Sequence, residues 1–381
     1  MKKGFSTFLF SFVALILGVV GGFYGLTYLT LPKTESVNVT EDVYYSNNQN
    51  QTQVADFSQF DSEISIHFLE LGNKYTGDCT YIKAGDTDIL IDCGSKSNSV
   101  SVVAEYLNKY VTDGKLEYVI VTHAHQDHYA GFATPENINS IFDLFKVETI
   151  IDFAQTNQKS TSNLYKNYLR ERQAAIDKGA KHYTALDCVN GTNGASQTFD
   201  LAQDTTLKIL NSHYYTNVAT TENDYSVCCL ISQRSKNFLF TGDLEKGGEE
   251  YLVSMNDLPQ VDLYKAGHHG SKTSSSETLM AKVQPKTVCV CCCAGSSEYT
   301  KTVENQFPTQ IFINNVAPYT SEVYVTTMCL DYKNNQFCSF NGNIVYASNK
   351  SAYQVFCSNN TTLLKDSDWF KQNRTCPEAW K

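Results

Sequence analysis

Leu116-Glu-Tyr-Val-Ile-Val121 runs directly into Thr122-His123-Ala-His125-Gln-Asp127-His128. A strand therefore empties into a loop that carries three of the chain's eight histidines and a carboxylate. Imidazole nitrogens and a carboxylate oxygen suit zinc first, with manganese or iron as alternatives. In a loop leaving a strand, His123 and His125 can point one way, and Asp127 and His128 then turn to a second position. The spacing suits one or two divalent ions. An exposed polar turn is a poor alternative, because so many titratable groups are costly to gather without a cation.

Other segments repeat the pattern of a strand emptying into polar ligands. Phe238-Leu-Phe-Thr-Gly242-Asp243 ends a strand on a carboxylate whose two oxygens can bridge two cations. Tyr264-Lys-Ala-Gly-His268-His269-Gly-Ser271-Lys272 runs a strand into a histidine pair flanked by glycines, which permit unusual dihedrals. One of His268 and His269 completes the metal shell and the other reaches the substrate; the sequence does not say which. Ser271 and Lys272 are phosphate contacts, with Lys265 a weaker third. Asp92, in Ile91-Asp-Cys-Gly94, and Asp78, after Gly77, are read as supports behind the ligands, with a plain turn as the alternative for Asp92. His67, inside a strand, is read as structural.

The whole chain has 381 residues, with 42% hydrophobic and 18% charged, which suits a folded body with a large core. Its net charge is −10 and no Lys/Arg-rich run occurs, which argues against a nonspecific nucleic-acid coat while leaving room for a small basic groove, and no protein partner is evident. Lys2 and Lys3 precede an uncharged stretch, Phe5 to Leu31. Its length exceeds the roughly 20 residues needed to cross a bilayer. Residues 1–31 are expected to be a signal anchor, or a signal peptide if cleaved. The body is then extracellular, held at the cell membrane or secreted. Residues 32–56 read as a polar linker, 57–350 as the main domain, and 351–381 as a Cys-containing C-terminal extension packed on it. Thirteen cysteines in an exported chain predict some disulfides, sought among Cys329, Cys338, Cys357 and Cys376. Val288-Cys-Val-Cys-Cys-Cys-Ala294 reads instead as a buried strand. Hairpins of strands mixed with helices predict an α/β (α+β) fold of two helix-covered sheets.

The order of these segments resembles the metallo-β-lactamase fold superfamily, and most closely the C-terminal domain of bacterial competence proteins of the ComEC/Rec2 type. The resemblance rests on His67-Phe-Leu-Glu-Leu-Gly72 with Gly77-Asp78, Leu90 to Gly94, Val121 to His128 with Ala130-Gly131, Asn223 to Val227, Leu239 to Asp243 and Lys265 to Ser274. It implies a four-layer αββα sandwich with a metal site at one edge. His123, His125, Asp127, His128 and Asp243 match metal-ligand positions, and so does one of His268 and His269. His213 is a candidate for a further ligand, ahead of His182, and Asn223 is a candidate substrate contact. Asp127 with His268 or His269 is expected to be catalytic. The implied activity is hydrolysis by metal-bound hydroxide, the ions lowering the pKa of bound water towards roughly 7. A small or single-stranded phosphodiester is the leading substrate. An ester, thioester or lactam, or a non-catalytic surface-binding role, are the alternatives.

Overall fold

The computed structural model describes residues 53–381. The expected anchor and residues 32–52 of the expected linker lie outside the described residues. Among the described residues, no helix is long and apolar enough to cross a membrane.

The strands are β1 (Ile64–Phe68), β2 (Thr80–Ala84), β3 (Thr87–Ile91), β4 (Lys115–Val121), β5 (Lys146–Asp152), β6 (Lys181–Thr184), β7 (Thr198–Ala202), β8 (Thr205–Ile209), β9 (Cys229–Gln233), β10 (Lys236–Phe240), β11 (Leu263–Lys265), β12 (Thr287–Ala294), β13 (Val323–Asp331), β14 (Gln336–Ser339), β15 (Ile344–Ser348) and β16 (Tyr353–Cys357). They form two eight-stranded sheets, ordered β16-β15-β1-β2-β3-β4-β5-β6 and β14-β13-β12-β11-β10-β9-β8-β7. The chain completes β1 to β6, lays out the whole second sheet, and returns to the first with its last hairpin. The expected boundary at residue 350 falls in the turn of that hairpin, so the first sheet draws a strand from the tail.

Period-two alternation explains why the sheets stack. In β12, Cys289 and Cys291 join the cluster that includes first-sheet residues Ile66, Tyr81 and Leu90. Val288, Val290 and Cys292 face the other way, onto Leu279 and Met280 of the helix Glu277–Val283 and Phe312 and Ile313 of the helix Gln310–Val316. β12 is buried on both faces, as its unbroken apolar run implies. The result is a mixed α/β two-sheet sandwich.

The expected tail disulfides are absent: all thirteen cysteines are free thiols. The sheet register explains the nearest pair. Cys338 in β14 lies opposite Met328, whereas Cys329 lies opposite Phe337. Cys329 and Cys338 therefore project to opposite faces, where no bridge can form. Cys357 belongs to the other sheet.

His67 is structural, as read from its strand. It is fully buried in β1, its Nδ1 2.8 Å from the Tyr106 hydroxyl and its Nε2 2.8 Å from Ser65 Oγ. The rings of Tyr110 and Tyr81 pack on it at 4.7 and 5.0 Å. Burial pushes its pKa from 6.5 down to about 3. The unfolded chain therefore takes up a proton that the native chain refuses, and stability falls as pH drops from about 6.5 towards about 3. Urea unfolding at pH 7 and pH 5 should show a loss in the wild type that exceeds the loss in His67→Gln by about 2 kcal/mol.

Candidate metal centre

Several strand ends deliver the site to one edge of the sandwich. β4 ends at Val121 and releases the His123–His128 loop. β10 ends at Phe240, and Gly242, at φ +55°, turns the chain so that Asp243 emerges. A Cβ at Gly242 would lie 2.8 Å from Ser226 Oγ, so the turn admits only glycine. β11 ends at Lys265 and leads into His268 and His269, both left-handed at φ +46° and +54°. Two consecutive residues with side chains in that region are strained, and such strain persists where a site demands it. Asp78 precedes β2, and Asp92 follows β3.

Four imidazoles turn the same nitrogen towards one carboxylate oxygen. Asp243 Oδ2 lies 3.1 Å from His128 Nε2, 3.5 Å from His269 Nε2, 3.9 Å from His268 Nε2 and 4.0 Å from His123 Nε2. His125 Nδ1 is 3.1 Å from His123 Nε2, and Asp127 Oδ2 is 3.5 Å from His269 Nε2. The opposite nitrogens all have partners. His128 Nδ1 donates to Asp92 at 2.7 Å, and His269 Nδ1 donates to the Cys291 carbonyl at 2.9 Å. His268 Nδ1 meets Thr273 Oγ1 at 3.0 Å, and His123 Nδ1 meets Thr122 Oγ1 at 3.1 Å. Tying Nδ1 fixes the ring and directs the Nε2 lone pair inward, as metal-binding histidines require.

The donor set fits a cation. His128 Nε2, His269 Nε2 and Asp243 Oδ1 are buried without hydrogen-bond partners. Asp78, His128, Asp243 and His269 each place a donor atom within 4.8 Å of the others. Within that group Asp78 faces Nδ1 of His269 at 3.2 Å and Nδ1 of His128 at 3.7 Å. It therefore backs the rings, the supporting place expected for it, while Asp127 and Asp243 face their Nε2 atoms. Burial works against charge on His128 and His269. The carboxylates of Asp243, Asp92 and Asp78 overcome it at His128, holding its pKa well above the imidazole range. Those of Asp243, Asp78 and Asp127 push His269 up to about 10. Protons thus offset the buried carboxylates where a divalent ion would otherwise do so. His123 goes the other way, lowered by burial and by the charge on His128.

His269 is buried between Asp127 and Asp243, while His268, with its side chain 20% exposed, stands at the mouth. Asp92 accepts from the Thr122 N–H at 2.8 Å and the Thr122 hydroxyl at 2.7 Å, as well as from His128, and so supports the loop. His213 is not among the groups gathered around Asp243: its ring stacks on Tyr251 at 3.9 Å and meets Asn217. His182 donates to Asp152 at 2.8 Å, apart from the centre. Ser271 Oγ meets Thr273 Oγ1, the partner of His268, at 3.1 Å. Lys272 is exposed beside Asn305, and the Asn223 amide donates to Glu245 at 2.9 Å. Lys265 is buried and paired with Asp78, so it is no surface phosphate contact. The alternation that turns Leu263 inward and Tyr264 outward places Lys265 between the sheets, a signal present in the sequence. Tyr299, whose hydroxyl donates to Asp127 Oδ2 at 2.5 Å, had no sequence signal.

Residues 72–134 match the metallo-beta-lactamase superfamily. The chain is 26% identical over 223 residues to Recombination protein 2 of Haemophilus influenzae, covering 58% of this chain and 23% of that protein. It is 35% identical over 69 residues to ComE operon protein 3 of Bacillus subtilis, covering 18% and 9%. The chain thus spans less than a quarter of either relative. Among solved structures, it is similar to the metallo-beta-lactamase fold protein YhfI of Bacillus subtilis, at 13% identity and TM-score 0.40, covering 75% of this chain and 99% of that one. It is also similar to a long form RNase Z from yeast, at 12% identity and TM-score 0.39, covering 62% and 38%.

Two measurements probe the centre. A Cβ on Gly94 would sit 1.7 Å from the Asp127 carbonyl oxygen, so Gly94→Ala must displace the ligand loop. Titration calorimetry with Mn²⁺ should show affinity about tenfold or more weaker in this variant. Because a cation replaces the protons on His128 and His269, wild-type binding should release protons and weaken as pH falls. Calorimetry in two buffers of different ionisation enthalpy measures that release.

Proposed function

We propose that this chain is an exported metal-dependent hydrolase of short or single-stranded phosphodiesters. The observation carrying the metal-dependent part is the convergence of four Nε2 atoms on Asp243 Oδ2, each ring braced from behind. The phosphodiester part draws support from two cationic side chains on or beside the loops of the centre: Lys272, three residues after His269, and Lys96, whose Nζ meets Gln126 Oε1 at 3.2 Å. It also draws support from a relative named for recombination, a process of nucleic acids. A net charge of −10 gives no long-range attraction to a duplex, which favours a short or single-stranded substrate.

His123 and His125 with Asp243 would hold one divalent ion, and Asp127, His128 and His269 with the same Asp243 would hold a second. When bound, such ions supply Lewis acidity and lower the pKa of coordinated water. The protein's own groups do the rest. Asp243 is shared between the two ligand sets. Asp92, Thr122, Thr273 and the Cys291 carbonyl keep the rings in register. Burial holds His268 below the ordinary imidazole range, and its Nε2 at the mouth is placed to take or give a proton. Lys272, exposed and bonded to Asn305 at 2.9 Å, has further N–H donors for a non-bridging phosphate oxygen.

Purified protein reloaded with Zn²⁺ or Mn²⁺ should cleave bis-p-nitrophenyl phosphate and lose that activity to EDTA. Asp243→Ala and His269→Ala should each lower turnover about a hundredfold or more and reduce the bound metal measured by elemental analysis. Nitrocefin turnover without diester turnover would replace the phosphodiester reading with a lactam one. Protein that holds no metal and cleaves no ester would be a binder built on the same fold.

A further inference from the structure

Between β12 and the helix Gln310–Val316 the chain makes a long excursion that walls the metal centre. Its base is closed by Gly295 N–H to the Phe307 carbonyl at 2.9 Å and by Thr309 N–H to the Gly270 carbonyl at 2.8 Å. The Phe307 ring lies 5.7 Å from His268 and 5.9 Å from His269. Tyr299 packs on Phe307 at 5.7 Å, and its hydroxyl donates to Asp127 Oδ2 at 2.5 Å. The neighbouring Glu298 accepts the Thr76 N–H at 2.8 Å and pins the excursion to the loop between β1 and β2.

The far side of the same excursion is gripped by the C-terminal tail. The buried Arg374 donates through Nε to the Pro308 carbonyl at 2.9 Å and through Nη2 to the Gln306 carbonyl at 2.6 Å. Its guanidinium stacks over Trp369 at 4.6 Å. Trp369 in turn fills the space beside Gly295, where a Cβ would lie 2.3 Å from the indole nitrogen. A side chain in the last ten residues therefore sets the carbonyls on either side of Phe307, and Phe307 sets Tyr299.

We infer that Tyr299 is a positioning residue for the metal centre, orienting the Asp127 carboxylate, and that Arg374 in the C-terminal tail holds Tyr299 in place. The inference rests on the metal-dependent reading above. Asp127 is the most exposed carboxylate of the centre, on a loop with only a four-residue helix behind it. A carboxylate there rotates freely unless one oxygen is held. The Tyr299 hydroxyl holds Oδ2.

The test is the affinity of the full described body for Mn²⁺, measured by calorimetry with circular dichroism as a check on folding. Tyr299→Phe keeps the ring on Phe307 and removes only the hydroxyl. It should weaken Mn²⁺ binding about tenfold without altering the spectrum. Arg374→Ala should weaken binding in the same direction. The Tyr299→Phe/Arg374→Ala double variant should lose no more than the larger of the two single effects, since both act on one contact. In turnover assays Tyr299→Phe should lower kcat more than it raises KM. Tyr299→Phe binding Mn²⁺ as tightly as the wild type overturns the inference, even if Arg374→Ala fails to fold. A wild type that binds no Mn²⁺ or Zn²⁺ overturns the metal-dependent reading itself, so the two failures are distinct.

Discussion

One carboxylate oxygen organises this protein. Asp243 Oδ2 stands at the meeting point of rings from two loops, and around it lie the further carboxylates of Asp78, Asp92 and Asp127. Like charges so close and so deep repel strongly at low dielectric. The fold tolerates them because Lys265 neutralises Asp78 and because His128 and His269 keep protons well above the usual range. Removing one partner from a buried set of this kind typically costs about 3–5 kcal/mol, since a stranded charge remains. A divalent ion held there would supply the same compensating charge.

The two sheets exist, in functional terms, to bring loop ends to that point. β3, β4, β10 and β11 all finish at the same edge, and β12 contributes a backbone carbonyl from within its span. Because the core behind the loops is packed on both faces of the second sheet, the strand ends cannot drift independently. The left-handed backbone at His268 and His269 shows where the cost falls. The same left-handed backbone recurs at Asp92, at φ +58°, which supports His128 from behind.

Much of this was legible in the sequence, for reasons that differ by residue. The His123–His128 loop, Asp243 and the His268–His269 pair announce themselves by density of ligand chemistry at strand ends, and the structure brings them together. Asp92 was readable as a support because it too follows a strand. The strands themselves followed from alternation and from the Cys-rich apolar run of β12. What escaped depended on contacts remote in sequence. His213 follows a strand as a ligand would, yet stacking on Tyr251 turns it away. Tyr299 belongs to an irregular excursion whose course is set by Arg374 and Trp369, far along the chain. The thiols of Cys329 and Cys338 look like a natural pair until register places them on opposite faces of the second sheet. Spacing reports local periodicity; it carries no information about which distant side chain will stop a ring from turning.

The return of the final hairpin to β1 has a consequence for how the molecule comes into being. β1 is hydrogen-bonded to β2 on one side and to β15 on the other, with Ile64 opposite Ser348. While the ribosome is still making the second sheet, one entire flank of β1 has no complement, and its apolar residues are next to an open row of amides. Closure waits for segments synthesised nearly three hundred residues later. A nascent or prematurely terminated chain ending before Ile344 would thus display an adhesive strand margin, making it a natural client for chaperones and a source of aggregates.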